Sequence, residues 1–219
     1  MITENTPSNY YVLDTSCLIA MAQFGYVLPE FSRSFNAAIM STNTQLLIPQ
    51  QVEREHEGLY IYTSPTQARP EILTVRDDDL TMASDAVTGK LNPQYFETLS
   101  SGEGTTYIRD QKFTTFTEAD PAVAALADDI YQEFFCSSTG LLNNDRKLTG
   151  RLTTQISSYN VMDIVLATAH HSSLDIDDAM SCSQLLSEEG PILFHTKKWA
   201  GAAPSATRCI LCHNIIEHV

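Results

Sequence analysis

Tyr10-Tyr11-Val12-Leu13-Asp14-Thr15-Ser16-Cys17-Leu18-Ile19 decides the fold. Its first four residues are an unbroken run of apolar β-formers, the pattern of a strand buried on both faces, as in a parallel sheet. Asp14 ends the run. Thr15 and Ser16 are turn and N-cap types, and Cys17 to Ala22 reads as the first turns of a helix. A carboxylate thus falls at the carboxyl end of the first strand, where open α/β sheets place their ligands. An aspartate in this position also serves as a plain helix cap, and this stretch alone leaves both roles open.

The same alternation recurs outward along the chain. Leu28, Phe31, Phe35, Ala38 and Ile39 have helical spacing, and Gln45 to Pro49 reads as a second short strand. Pro49 then opens a helix through Gln50-Gln51-Val52-Glu53-Arg54-Glu55-His56-Glu57, with Gly58 as its stop. Ile72 to Val75 reads as a strand, and the acidic triplet Asp77-Asp78-Asp79 precedes helical spacing from Leu80 to Val87. Asp120 and Pro121 head a stripe of Val123, Leu126, Ala127, Ile130, Tyr131 and Phe134. Gly140-Leu141-Leu142 is a short strand that Asn143-Asn144-Asp145 again ends with a carboxylate. Tyr159 to Met162 reads as a last short strand of the sheet, Asp163 to His171 as a helix, and Asp175 to Ala179 as a capped helix start running to about Ser187. Gly190 to His195 reads as a final strand, and Trp199 to Thr207 as a linker. Short apolar strands alternating with amphipathic helices indicate an α/β fold with a mostly parallel sheet.

Composition bounds the partners. The chain has 219 residues, 43% hydrophobic, enough for one domain with a sizeable core. No apolar run approaches ~18 residues, so no membrane span is expected, and no secretory leader is visible. Five scattered cysteines fit a reduced cytoplasm better than a disulfide framework. The formal net charge is −14. A protein that grips nucleic acid by charge alone is basic. Either nucleic acid is not the ligand, or the acidic groups hold cations that meet the phosphates.

Carboxylates gather at the predicted strand ends. Asp14 and Asp145 end strands, Asp120 heads a helix, and Glu53, Glu55 and Glu57 share a short helix. Strand ends and following helix starts lie on one edge of a parallel sheet. Clustered carboxylates repel unless they bind a cation, and all-oxygen donors suit Mg²⁺ or Mn²⁺.

The segments VLDTS, IPQQVEREHEGL, ADPAVAALA and LLNNDRKL, in that order, resemble PIN-domain ribonucleases over roughly residues 10 to 150, and ISSYNVMDIVLATAHHSSLDIDDAM is similar to the strand and helix that often close such domains. The resemblance implies a PIN-like three-layer α/β/α domain at 10–187, after an arm at 1–9 and before a C-terminal extension at 188–219. It implies that Asp14, Glu55, Asp120 and Asp145 hold Mg²⁺ or Mn²⁺, with Ser16 and Asn144 in support, and that RNA is the substrate of a cytoplasmic endoribonuclease. Asn143 departs from the Thr or Ser usual in the family. The toxin branch of the family pairs with antitoxin partners, and homodimers are common in it. Glu53 is the fallback for Glu55 should the helix phase shift, and Asp163, which heads another Ala-containing helix, is the rival of Asp120. Asp128 and Asp129 sit mid-helix and read as a solvated face, and Arg146 with Lys147 reads as a surface pair. Two other functions share these features: a catalytically silent PIN-like binding module, and a metal-dependent phosphohydrolase on a different α/β fold.

The C-terminus carries a separate pattern. Cys209, Cys212 and His213, with His218 five beyond, have zinc-compatible spacing that Cys182 or His195 would have to complete in space. The plainer reading is reduced cysteines packed as small hydrophobes. His170 and His171 have no evident role in the sequence.

Overall fold

The computed structural model describes residues 7–57, 72–75, 119, 122–123, 126–127, 130–131, 139–145, 156–194, 204, 206 and 208–216. Asp120, Asp128, Asp129, Arg146, Lys147, His195, His218, the expected linker at Trp199 and the 59–117 segment apart from 72–75 lie outside the described residues.

Five strands form one parallel sheet: β1 Asn9–Leu13, β2 Thr44–Pro49, β3 Ile72–Val75, β4 Thr139–Leu142 and β5 Ser157–Tyr159, in the order β3-β2-β1-β4-β5. β1 is central and buried along its whole length, which is why it carries no polar alternation. Its register pairs Tyr11 with Leu46 on one side and with Gly140 on the other. The chain builds outward from β1 through β2 to β3, then returns to the other side of β1 for β4 and β5. The β1–β4 junction is therefore the topological switch point, where such sheets open a crevice at their carboxyl edge.

Helices α1 (Thr15–Val27), α2 (Glu30–Ser41), α3 (Gln50–Glu57), α4 (Val161–His171) and α5 (Ile176–Phe194) accompany the sheet. α1 touches all four others, so it is apolar around most of its circumference and buries Cys17, Leu18, Ile19, Ala20, Met21 and Phe24. α2 lays the stripe Phe31, Phe35, Ala38 and Ile39 into the core and packs on α4. Phe31 meets Phe24 edge-on at 4.9 Å between ring centroids. Val123, Leu126, Ala127 and Ile130 of the expected stripe are helical and buried, Tyr131 is half-buried, Phe134 lies outside the described residues, and Ala119 and Ala122 are buried with them.

Several boundaries differ from the sequence reading, each for a local reason. Pro49 ends β2, as its strand reading had it, pairing in register with Val75, and α3 starts at Gln50 rather than at Pro49. β5 ends at Tyr159 because Asn160 caps α4: its side chain accepts from the backbone N–H of Met162 at 2.8 Å and of Asp163 at 3.3 Å. Gly190 to Phe194 is helical, not a strand. α5 runs through Pro191, with Leu186 and Leu193 two turns apart. The expected domain end at 187 thus falls inside α5, and β1 already includes Asn9.

The C-terminal segment belongs to the core. Cys209, Ile210 and Leu211 are buried in it. The Tyr11 hydroxyl donates to the carbonyl of Ile210, and the Asn9 amide donates to that of Leu211 at 2.8 Å. No helix among the described residues is long and apolar enough to cross a membrane.

Candidate functional site

Asp14 sits where β1 gives way to α1, at the carboxyl edge beside β4. Its backbone N–H donates to Leu142 O at 2.9 Å, so the aspartate is fixed against the neighbouring strand end. Its carboxylate is 4% exposed and caps α1: Oδ2 accepts from the Ser16 N–H at 3.0 Å and from the Ser16 hydroxyl at 2.5 Å. Capping and site membership, left open by the sequence, are both compatible with this placement. Burial pushes the Asp14 pKa up; the Ser16 hydroxyl and N–H pull it down, and the like charge of Glu55 raises it again.

Glu55 reaches this edge from α3. Val52 is fully buried and Glu55, one turn on, is exposed, yet its Oε2 accepts from the Thr15 hydroxyl at 2.6 Å. Thr15, read from the sequence as a turn residue only, is thus the link between α1 and the α3 acid. Glu53 is half-buried on a different face of the same helix.

On the β4 side, Asn143 is 3% exposed and shapes the turn that presents Asp145. Its Oδ1 accepts from the Asp145 N–H at 2.7 Å and its amide donates to Asp145 O at 3.0 Å. The Ser16 hydroxyl lies 3.1 Å from the same Oδ1 and accepts from the Asn144 N–H at 3.0 Å. Asn143 therefore supplies the local support for which Thr or Ser had been expected. Asn144 Oδ1 accepts from the Val161 N–H at 3.2 Å, tying the β4 end to the start of α4. Ser16 is the hub that joins Asp14 to the Asn143–Asn144 turn.

Asp163, the rival of Asp120, is 2% exposed and committed to local structure. Its Oδ2 accepts from the Asn160 N–H at 2.8 Å, closing a capping box, and its Oδ1 accepts from the Ala206 N–H at 2.8 Å. Burial first, then the charges of Asp14 and Asp163, drive the Cys17 pKa well up, which leaves it an inert packed thiol. The structure thus brings Asp14, Ser16, Glu55, Asn144 and Asp145 to one edge.

Among the described zinc-spaced residues, His213 does not join Cys212. His213 turns away in a left-handed conformation (φ 62°), and its Nε2 lies 3.2 Å from Asn9 Oδ1. Cys212 instead groups with His170 and His171, two residues the sequence reading left without a role. No family model, curated protein or solved structure compared with the chain matches it.

Proposed function

We propose that the chain is a PIN-like, three-layer α/β/α endoribonuclease that works with Mg²⁺ or Mn²⁺ at the β1–β4 edge. The observation that carries this reading is the pairing of a buried Asp14 with Glu55 beside the Asn143–Asp145 turn, at the switch point of a β3-β2-β1-β4-β5 sheet. Asp14 and Glu55, from two elements, lie close enough for their like charges to interact, the Asn143–Asp145 turn adds Asp145 at the same sheet edge, and all three offer oxygen donors only. That donor set suits a hard divalent cation. Asp14, Glu55 and Asp145 would hold it, with Asp120 as the fourth acid implied by the resemblance. Such a cation supplies a water nucleophile at neutral pH and neutralises charge on a phosphodiester.

The protein's own residues account for the rest. Ser16 orients Asp14 and favours its ionised form by donating twice to one oxygen. Thr15 holds Glu55 toward the edge. Asn143 fixes the backbone of Asp145 from both sides. With a formal charge of −14, the chain meets RNA phosphates through bound cations rather than through a basic face, so binding depends on ionic strength and on divalent metal together.

Cleavage of labelled RNA with Mg²⁺, Mn²⁺ or chelator tests the reading. Metal-dependent products from the native chain, absent from Asp14→Asn, are expected. Metal-dependent RNA binding without cleavage would point to a silent binding module. Hydrolysis of small phosphate esters alone would point to a different phosphohydrolase.

A further inference from the structure

A second cluster lies at the far end of α4 from the carboxylates. His170 and His171 close that helix, and their rings meet edge-on with centroids 5.1 Å apart. One ring nitrogen of each and the Cys212 sulfur all lie within 4.8 Å of one another. The Nε2 of His171 is buried without a hydrogen-bond partner, a cost that a protein does not ordinarily leave uncompensated.

The turn that brings Cys212 is built around a sulfur. Cys209 N–H donates to Asn214 O at 2.8 Å, His213 N–H donates to Cys209 O at 2.8 Å, and Arg208 bridges Ile215. Inside this closed loop, the backbone N–H groups of Leu211 and Cys212 donate to the Cys209 sulfur, and the Cys212 thiol contacts it. Two N–H donors aimed at one sulfur favour a thiolate.

We infer that Cys209, Cys212, His170 and His171 form a structural zinc site that fastens the C-terminal turn to the end of α4. Two thiolates and two neutral imidazoles cancel the charge of Zn²⁺, which suits a half-buried position. Sulfur and imidazole donors select zinc over Mg²⁺ or Mn²⁺, so this site and the oxygen-lined edge do not compete for metal. A tetrahedral zinc site holds its donor atoms about 3.3–3.8 Å apart, from bond lengths of roughly 2.0–2.3 Å. Contraction of about 1 Å brings the His170, His171 and Cys212 donors to that spacing, and the Cys209 sulfur, which lies outside that group, joins through its contact with Cys212. The inference does not depend on the proposed nuclease activity.

Full-length protein purified with mild reductant should carry one zinc per chain by elemental analysis. Cobalt substitution should give the visible bands of a tetrahedral ion together with thiolate-to-cobalt charge transfer. Cys212→Ser and His171→Ala should each weaken zinc binding, measured against a chromophoric chelator, by more than the roughly 100-fold limit of losing a supporting contact. His213→Ala and Asp14→Asn should keep native affinity. His170→Ala alters only an exposed ring, so it reports on ligation even if a cysteine variant misfolds. The inference is overturned if the native chain gives no charge-transfer band, if Cys212→Ser retains native affinity, or if Cys209 and Cys212 are found as a disulfide and the chain is free of zinc.

Discussion

Replacing Asp14 by Asn should make the metal-free protein more stable, not less. Asp14 is 4% exposed, and the charge beside it is that of Glu55, of the same sign. Holding an ionised carboxylate there costs several kcal/mol in desolvation and repulsion. The two Ser16 contacts return part of this, at about 1.5–3 kcal/mol for each hydrogen bond to a charged group. Asn keeps a carbonyl oxygen for the Ser16 donors, so these bonds weaken to about 0.5–1.5 kcal/mol each rather than vanish. The balance favours the amide by about 2 kcal/mol, which for a chain of this size is a rise of roughly 4–8 °C in Tm.

The pH dependence follows from the direction of the shift. The folded protein binds the Asp14 proton more tightly than the unfolded chain does, because burial raises the pKa. The penalty is therefore absent below the ordinary aspartate value of about 3.9 and grows as pH rises through the raised one. The stability gap between Asp14→Asn and the native chain should open from acid toward neutral pH. Adding Mg²⁺ should reverse the order: at about 100 times its dissociation constant a ligand stabilises the native chain by ~2.7 kcal/mol, and the variant should lose that response. Thermal melts at pH 4 and pH 7, each with chelator and with Mg²⁺, measure all four corners. A variant that melts below the native chain in chelator at pH 7, or that responds equally to Mg²⁺, refutes the reasoning.

Ser16→Ala removes the hydroxyl that holds Asp14 and accepts from Asn144, so it should cost about 1–3 kcal/mol in chemical denaturation and move the acidic limb of the cleavage profile to higher pH. Glu55→Gln should abolish metal-dependent cleavage at saturating Mn²⁺ while Glu53→Gln stays near native; full activity in Glu55→Gln would show that the Thr15 contact is only structural. Gly140→Ala should destabilise by about 1–3 kcal/mol, because the new Cβ would lie 2.7 Å from the Tyr159 ring and 2.8 Å from the Tyr11 ring, and an unchanged denaturation midpoint would mean that both rings yield freely.

What was legible in the sequence was whatever burial or helix phase writes locally. β1 could be read because a central parallel strand has no polar face to interrupt it. The phase of α3 was only half legible: Val52 is buried and Glu55 meets Thr15 as its spacing suggested, but Glu55 is exposed and Glu53, expected toward solvent, is half-buried. Tyr159 to Met162 misled because the same apolar residues serve a strand end and a helix start, and only the Asn160 cap separates them. Gly190 to Phe194 misled because Gly and Pro usually punctuate, whereas here α5 continues through them. Long-range partners left no local trace. Nothing near Asp163 announces that Ala206 will donate to it, and nothing near Cys212 announces His171. The zinc-like spacing of Cys209 and Cys212 drew attention to His213, the neighbour in sequence, although the turn that joins the cysteines sends His213 to Asn9.

The C-terminal segment has a geometric role that these contacts define together. α4 begins at the carboxylate edge, where Asn160 and Asp163 cap it, and ends at His170 and His171 toward the opposite edge, where β1 starts at Asn9. From Asp163 to His171 the helix rises about 12 Å. From Ala206 to Cys212 an extended chain spans at most about 20 Å. Ala206 meets Asp163, Leu211 meets Asn9 and Cys212 meets His171, so the segment passes along α4 from one edge of the sheet to the other. It is a strap rather than an appendage. Its upper contact holds Asp163, whose charge acts on the same Cys17 thiol as that of Asp14, and its lower contacts bury Cys209, Ile210 and Leu211 against the core. A fastening at the lower end therefore bears on the upper one through six residues of chain and one helix.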